Sequence, residues 1–153
     1  MKTLELKVPP IALVVISGGI MWLIAEFTPA ISTTKSIEYW LAGGVLILGM
    51  LFCFLGVFEF RRKDTTVNPM KPEDSSSLVT SGIYTITRNP MYVGFLLLLV
   101  SWAIFLSSLF SVAVLGIFIA YMNQYQIKPE ERMLQTMFGK DYEVYTKRVR
   151  RWL

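Results

Sequence analysis

The chain has 153 residues, of which 54% are hydrophobic and 17% charged, and its formal net charge is +4. This length fits a single domain, and the apolar fraction is high for a soluble protein. The absence of histidine excludes histidine-based acid–base catalysis, Ser-His-Asp hydrolysis and most zinc chemistry, so no metal site is expected.

Three stretches carry no charge: Val8–Ala25, Tyr39–Phe58 and Asn89–Ile127, with 18, 20 and 39 residues. Such runs are typical of membrane-spanning helices, because a helix satisfies its own backbone hydrogen bonds in lipid. The alternative is a soluble helical core, which lengths of this kind disfavour. A signal peptide is the alternative for the first run. Since Glu26 and Pro29 follow in place of a small-residue cleavage site, we predict a retained helix.

The third charge-free stretch is too long for one crossing. A single helix of this length would extend about 58 Å, against a hydrocarbon core of about 30 Å. Ser107-Ser108 is the polar pair near its middle and divides it into the arms Met91–Leu106 and Leu109–Gln126. We therefore predict an all-α polytopic membrane protein with four transmembrane helices, the last two forming a tight hairpin. The predicted helices cover about 9–26, 38–60, 90–106 and 109–127, within one domain over 1–153.

The distribution of lysine and arginine predicts the orientation. The connection over residues 61–89, with a loop at Thr65–Ser81, and the tail over 128–153 are rich in basic residues, whereas Glu26–Glu38 holds only Lys35. The positive-inside rule places the connection and the tail in the cytoplasm, and four crossings place both termini there. The prediction is a multi-pass protein of the inner (cytoplasmic) membrane.

The tail is predicted to form two short amphipathic helices. Pro129 suits the first turn of one, and Gly139 suits its end. The second presents one face made of Tyr142, Tyr145, Val149 and Trp152. Its basic residues are expected to contact anionic membrane lipids or to attract an anionic acceptor, and they are Arg148, Arg150 and Arg151.

Several residues in the apolar runs have simple structural interpretations. Gly18-Gly19 and Gly43-Gly44 are predicted to be helix-packing positions. Cys53 is predicted to pack between helices. Glu59, beside Arg61-Arg62, is expected to form a local ion pair, and a role as a base or substrate contact is the alternative.

The segment that leads into the third apolar run combines an arginine, an Asn-Pro helix start and a tyrosine. Taken singly, Arg88 and Tyr92 suit a membrane interface, and Glu130-Glu131 suits the positive end of a helix. Because the predicted hairpin returns the chain to the same side, these side chains can meet in one pocket at the membrane level. Such a set suits a zwitterionic, polar cofactor.

These residues carry a resemblance to a known family. The run Gly82–Gly94, with Arg-Asn-Pro-Met-Tyr inside it, resembles the isoprenylcysteine carboxyl methyltransferase-like family, which is related to the phospholipid N-methyltransferases. The tail is similar too, at Glu130–Leu134, Phe138-Gly139 and Arg148–Leu153, and so is the upstream Thr65–Pro69. The resemblance covers roughly Phe58 to the C-terminus and is closest to compact microbial members.

The resemblance implies S-adenosylmethionine as methyl donor, with Arg88 and Glu131 as catalytic residues. The residues that it implies around the cofactor are Gly82, Tyr84, Arg88, Asn89, Pro90, Tyr92, Gly94, Glu130 and Glu131. The eukaryotic enzymes of the family have histidine at the position of Asn89, so an amide or backbone hydrogen bond takes the place of any imidazole role.

The expected acceptor is a lipophilic molecule or lipid that carries a carboxylate, and no nucleic acid is expected as a partner. Methyl transfer from a sulfonium depends mainly on positioning, and an ionised carboxylate needs no base. Three alternatives stay open: N-methylation of a phospholipid, S-methylation of a small thiol, and a non-catalytic membrane scaffold of the same fold.

Overall fold

The computed structural model describes residues 5–31, 34–63 and 77–153. It contains five α-helices: α1 (Pro10–Glu26), α2 (Lys35–Arg62), α3 (Pro90–Phe105), α4 (Val112–Tyr121) and α5 (Lys128–Arg148). Within these ranges the one β contact is an isolated bridge between Thr87 and Arg150. The all-α prediction is confirmed. The loop predicted at Thr65–Ser81 lies mostly outside the described residues.

Among the helices described, α2 alone is long and apolar enough to cross a membrane by itself, with 28 residues and a mean hydropathy of 2.5 in its most apolar part. The apolar helices α1 and α3 are shorter, at 17 and 16 residues. One face of α2 exposes Trp40, Ile47 and Phe54, seven residues apart, to the surroundings of the protein. Seven residues make two helical turns, so these side chains form an apolar stripe.

The opposite face of α2 carries small residues that let α3 approach closely. Ala42, Gly49 and Gly56 repeat at the same spacing and are buried. A Cβ on Gly49 would lie 3.1 Å from the carbonyl oxygen of Gly94 in α3, so the two backbones are nearly in contact. The prediction that Gly43-Gly44 are helix-packing positions was wrong, because a Cβ added to either glycine would have no neighbouring atom within 4 Å. Apolar composition alone does not tell which glycines face a neighbour.

The turn between α3 and α4 lies where the polar pair predicted it. Ser107 adopts a positive φ of 50°, and Ser107 and Ser108 are both buried. The Lys35 ammonium donates to the Ser107 hydroxyl over 2.9 Å and forms an ion pair with Glu38. The fourth helix was predicted to begin at residue 109, but the turn extends further and α4 begins at Val112.

The fourth helix and the tail form one continuous helical path, which corrects the prediction of a separate tail helix beginning near Pro129. A π-helical stretch, Met122–Ile127, joins α4 directly to α5. Pro129 follows this stretch in the first turn of α5, where a proline is tolerated. Gly139 does interrupt the helix as predicted: its φ of 51° and ψ of −117° kink α5 into two parts.

Candidate functional site

The connection before α3 is held against the end of α2 by Glu59. The Ser81 hydroxyl donates to the Glu59 carboxylate over 2.7 Å, while Arg62 lies 3.9 Å from it. Gly82 has a φ of 57°, and a Cβ there would collide with the Glu59 side chain. Glycine is therefore required by both backbone conformation and space. Glu59 is a buried anchor for this connection more than a partner of its neighbouring arginines.

The residues just before α3 bind the C-terminal segment of the chain. The Arg88 amide donates to the Arg150 carbonyl over 2.9 Å, and the Asn89 side-chain amide donates to the Arg151 carbonyl over 2.9 Å. The Thr87 hydroxyl also donates to the Arg151 carbonyl, over 3.2 Å. The Asn89 side-chain amide thus makes the expected type of hydrogen bond, and its acceptor is the backbone of the C-terminal segment.

Arg88, Glu131 and Arg151 form a compact charged cluster between the start of α3 and α5. A terminal nitrogen of Arg88 lies 3.1 Å from the Glu131 carboxylate. Arg151 grips the same carboxylate in bidentate fashion, through Nε at 2.9 Å and a terminal nitrogen at 2.6 Å. The bond to Glu131 raises the pKa of Arg151 further. Two guanidinium groups share one carboxylate, so the cluster carries an excess positive charge.

The neighbouring carboxylate, Glu130, belongs to a different environment. The Tyr92 hydroxyl donates to it over 2.5 Å, and the Gln126 amide donates to the same oxygen. Burial raises the pKa of Glu130 to about 7, and the Glu131 charge adds to this, while the two hydrogen bonds oppose it. The two adjacent glutamates are therefore distinct: Glu131 is paired with cations, and Glu130 sits in a neutral hydrogen-bonded site.

The charged cluster lines an open pocket of about 740 Å³. Its walls are formed by Arg88, Lys128, Glu131, Arg132, Gln135, Thr136, Tyr142, Thr146 and Arg151. Burial, together with the Glu131 charge, raises the pKa of Tyr142 to about 12, so its ring is a neutral phenol at physiological pH. The pocket thus combines guanidinium donors, a carboxylate and an aromatic ring.

Of the residues expected around a cofactor, the structure places Arg88 and Glu131 on the pocket wall. Asn89, Tyr92 and Glu130 lie beside this wall and bind other parts of the chain, as described above. Pro90, buried at the start of α3, packs on α2 close to Gly56. Cofactor contact by all of these residues stays a prediction.

Of the remaining expected residues, Tyr84 and Gly94 are buried in the packed interior, whereas Gly82 is exposed. The Tyr84 carbonyl accepts a hydrogen bond from the Tyr145 hydroxyl over 2.7 Å, and the Tyr84 ring packs edge-on against Phe60. A Cβ on Gly94 would lie 2.8 Å from the Gly49 carbonyl oxygen and would also collide with Cys53. The absence of a side chain thus lets Gly82 pack closely on Glu59 and Gly94 on Gly49 and Cys53.

The sequence did not predict several pocket residues, above all Arg151, for which contact with anionic lipids or attraction of an anionic acceptor was expected. Tyr142, Lys128 and Arg132 were missed as well. Tyr142 lies in the tail that carries the family resemblance, and this resemblance is the signal that could have pointed to it. No local signal pointed to Arg151, because its place depends on the return of the C-terminus to the start of α3.

Comparison with known proteins gives three kinds of result. A family model described as phospholipid methyltransferase matches residues 37–141. This range includes Arg88 and Glu131 of the charged cluster but not Arg151. A probable protein-S-isoprenylcysteine O-methyltransferase of Oryza sativa is 29% identical over 131 residues, covering 83% of this chain and 69% of that one. Protein-S-isoprenylcysteine O-methyltransferase B of Arabidopsis thaliana is 30% identical over 105 residues, covering 69% and 53%.

An uncharacterized protein of Haemophilus influenzae is 46% identical over 65 residues, which are 41% of this chain and the whole of that one. No solved structure matches this chain significantly.

Proposed function

Because the chain belongs to the phospholipid methyltransferase family, we propose that it transfers a methyl group from S-adenosylmethionine to a lipophilic acceptor at a membrane surface. The observation that carries this proposal is the Arg88–Glu131–Arg151 cluster on the wall of a pocket of about 740 Å³. Membership of a methyltransferase family accords with the resemblance seen in the sequence. The identity of the methyl donor, the kind of acceptor and the location at a membrane surface are proposals.

The chemistry of the pocket fits the proposed cofactor. Its amino-acid carboxylate suits the guanidinium donors, and its ribose hydroxyls suit the Glu131 carboxylate. The Nε–H of Arg88 is buried and has no hydrogen-bond partner among the described residues, so this side chain has donor capacity that the protein itself does not use. When bound, the cofactor supplies an electrophilic methyl group on a sulfonium ion.

Tyr142 gives the pocket a place for a cation. The residue lies on the pocket wall, and its phenol ring is uncharged at neutral pH. An aromatic face stabilises a desolvated cation by about 0.5–2 kcal/mol. Arg88 and Glu131, fixed by each other, supply orientation, and positioning is the main contribution to an in-line transfer.

We further propose that four membrane crossings, made by α1, α2, α3 and the continuous α4–π segment, place this pocket at the cytoplasmic face of the inner membrane. The basic residues on both sides of the pocket support this orientation. The exposed stripe of α2 then faces lipid, and the acceptor reaches the pocket from the bilayer. Both termini lie in the cytoplasm.

This topology predicts a labelling pattern for single cysteines introduced into a Cys53→Ala background. Ala30→Cys, exposed between α1 and α2, is expected to react with a membrane-impermeant thiol reagent applied to intact cells. Lys140→Cys, exposed on α5, is expected to react only after the membrane is permeabilised. The reverse pattern would place the pocket outside the cytoplasm and reject the proposed orientation.

The proposed acceptor is a carboxylate on a lipophilic molecule, so that the product is a methyl ester. A carboxylate is ionised at neutral pH and is a nucleophile without a general base. The excess positive charge of the pocket also attracts an anionic acceptor. The relatives from Oryza sativa and Arabidopsis thaliana are named protein-S-isoprenylcysteine O-methyltransferases, and methylation of an oxygen is the chemistry proposed here.

N-methylation of a phospholipid is the second candidate, and the description of the family model as phospholipid methyltransferase favours it. Methylation of a small thiol and a non-catalytic scaffold have no such support.

Label transfer separates the two candidates. Membranes that contain the protein are incubated with methyl-labelled S-adenosylmethionine and a lipid extract, and the lipid products are treated with mild alkali. We expect label in the lipid fraction that alkali releases as methanol, since methyl esters hydrolyse. Alkali-stable label would reject the carboxylate acceptor and favour the phospholipid. No transfer above an Arg88→Met control would contradict the enzymatic proposal.

A further inference from the structure

The C-terminal segment Arg150–Trp152 is hydrogen-bonded to two different parts of the protein. Its carbonyls accept hydrogen bonds from Arg88 and Asn89 at the start of α3. On the other side, the Trp152 indole N–H donates to the Asn123 side chain over 3.0 Å, in the π-helical stretch. The backbone of Arg151 is therefore held between the entry to α3 and the junction of α4 with α5.

This placement turns the Arg151 side chain toward the pocket and away from lipid. Its Nε and one terminal nitrogen bind Glu131. The side chain remains 33% exposed and forms part of the pocket wall, so it is accessible to a ligand in the pocket.

The charge balance of the pocket specifies the kind of group that fits beside Arg151. Arg88 and Arg151 share the single negative charge of Glu131, and Lys128 adds another cation to the wall. Arg132 is paired with Glu5 and contributes little net charge. With Lys128 counted, the wall lacks two anions for neutrality, and a planar guanidinium matches a carboxylate particularly well.

We propose that Arg151 is a specificity-determining residue that, together with Arg88, recognises the amino-acid carboxylate of the methyl donor. The inference rests on the proposed function and extends it, since it makes the last residues of the chain part of the binding site. Glu131 then fixes both guanidinium groups in the orientation that the carboxylate requires. Arg88 anchors one side of the anion and Arg151 the other.

The test compares S-adenosylmethionine with its decarboxylated form, because the two ligands differ only in the carboxylate. Binding of each is measured on the full-length protein in detergent, for the wild type, Arg151→Met and Arg151→Lys. We expect Arg151→Met to weaken binding of S-adenosylmethionine roughly 10–100-fold, as for loss of a charged hydrogen bond. Binding of the decarboxylated ligand should change by less than about 3-fold, so that the preference for the carboxylate is lost.

Arg151→Lys keeps a positive charge and the aliphatic stem but loses the planar fork, so we expect an intermediate preference. Arg148→Met is the matched control: this arginine ends α5, is exposed and lies outside the pocket, and both affinities should stay unchanged. The intact circular dichroism spectrum of each variant verifies the fold.

Two results overturn the inference while leaving the proposed function intact: Arg151→Met binds S-adenosylmethionine as tightly as the wild type, or it loses both ligands equally. In the second case Arg151 only positions Glu131. A folded wild-type protein that binds neither ligand contradicts the proposed function itself, and the inference falls with it.

Discussion

Replacement of Glu131 with glutamine is expected to weaken binding of S-adenosylhomocysteine by roughly 10–150-fold, because an ionic hydrogen bond at a partly buried site contributes about 1.5–3 kcal/mol. The carboxylate orients two guanidinium groups as well as offering an acceptor to the ligand. Glutamine keeps the shape of the side chain but pairs with neither arginine ionically. The measurement is equilibrium binding to the purified protein in detergent.

Glu143→Gln is the control for this variant. Glu143 lies on the same helix and forms an exposed ion pair with Lys147, so its loss should leave cofactor binding unchanged. Arg88→Lys is a companion variant, expected to weaken binding because a point charge does not replace a bidentate fork. Normal binding by Glu131→Gln would show that Glu131 contributes to the fold through its ion pairs with Arg88 and Arg151, and not to ligand binding.

The Gly94→Ala variant is expected to lower the free energy of unfolding by about 1–3 kcal/mol, the usual cost of overpacking a tight contact. The added methyl group would meet the Gly49 carbonyl oxygen at 2.8 Å and would also press on Cys53 of α2. Both obstacles are close to the α2 backbone and cannot simply rotate away. The two helices must separate, and thermal unfolding in detergent reports the loss.

Gly44→Ala is the matched control, since it makes the same chemical change in α2 where no atom lies within 4 Å of the new methyl group. Alanine favours helix over glycine by up to about 1 kcal/mol, so this variant should be as stable as the wild type or more stable. If Gly94→Ala unfolds at the same temperature as Gly44→Ala, the close approach of α2 and α3 is not a source of stability.

The fold was predictable where the local sequence alone limits the length of a helix or marks its end. A 39-residue run without charge cannot remain one helix across a bilayer, and the polar pair near its middle marked the turn at Ser107-Ser108. Gly139 was predicted as a helix break because glycine tolerates the positive φ that it adopts there. The pairing of Arg88 with Glu131 followed from the hairpin, which brings the two ends of the run together.

Other features depend on contacts between distant segments, which composition does not encode. In α2, Gly49 and Gly56 pack on α3, and they differ from Gly43-Gly44 only in the face of the helix on which they lie. The continuity of α4 with α5 depends on a π-helical stretch that no helix-stop signal reveals. Arg151 reaches the pocket because three residues before α3 bind the C-terminal backbone.

The central claim is that the pocket beside Arg88 and Glu131 binds the product of a methyl donor, and titration of the wild-type protein tests it most directly. S-adenosylhomocysteine is added to purified protein in detergent, without metal, and binding is followed by calorimetry. We expect saturable binding of one ligand per chain, competed by S-adenosylmethionine. A folded, monodisperse protein that shows no binding at about 1 mM ligand would contradict the account.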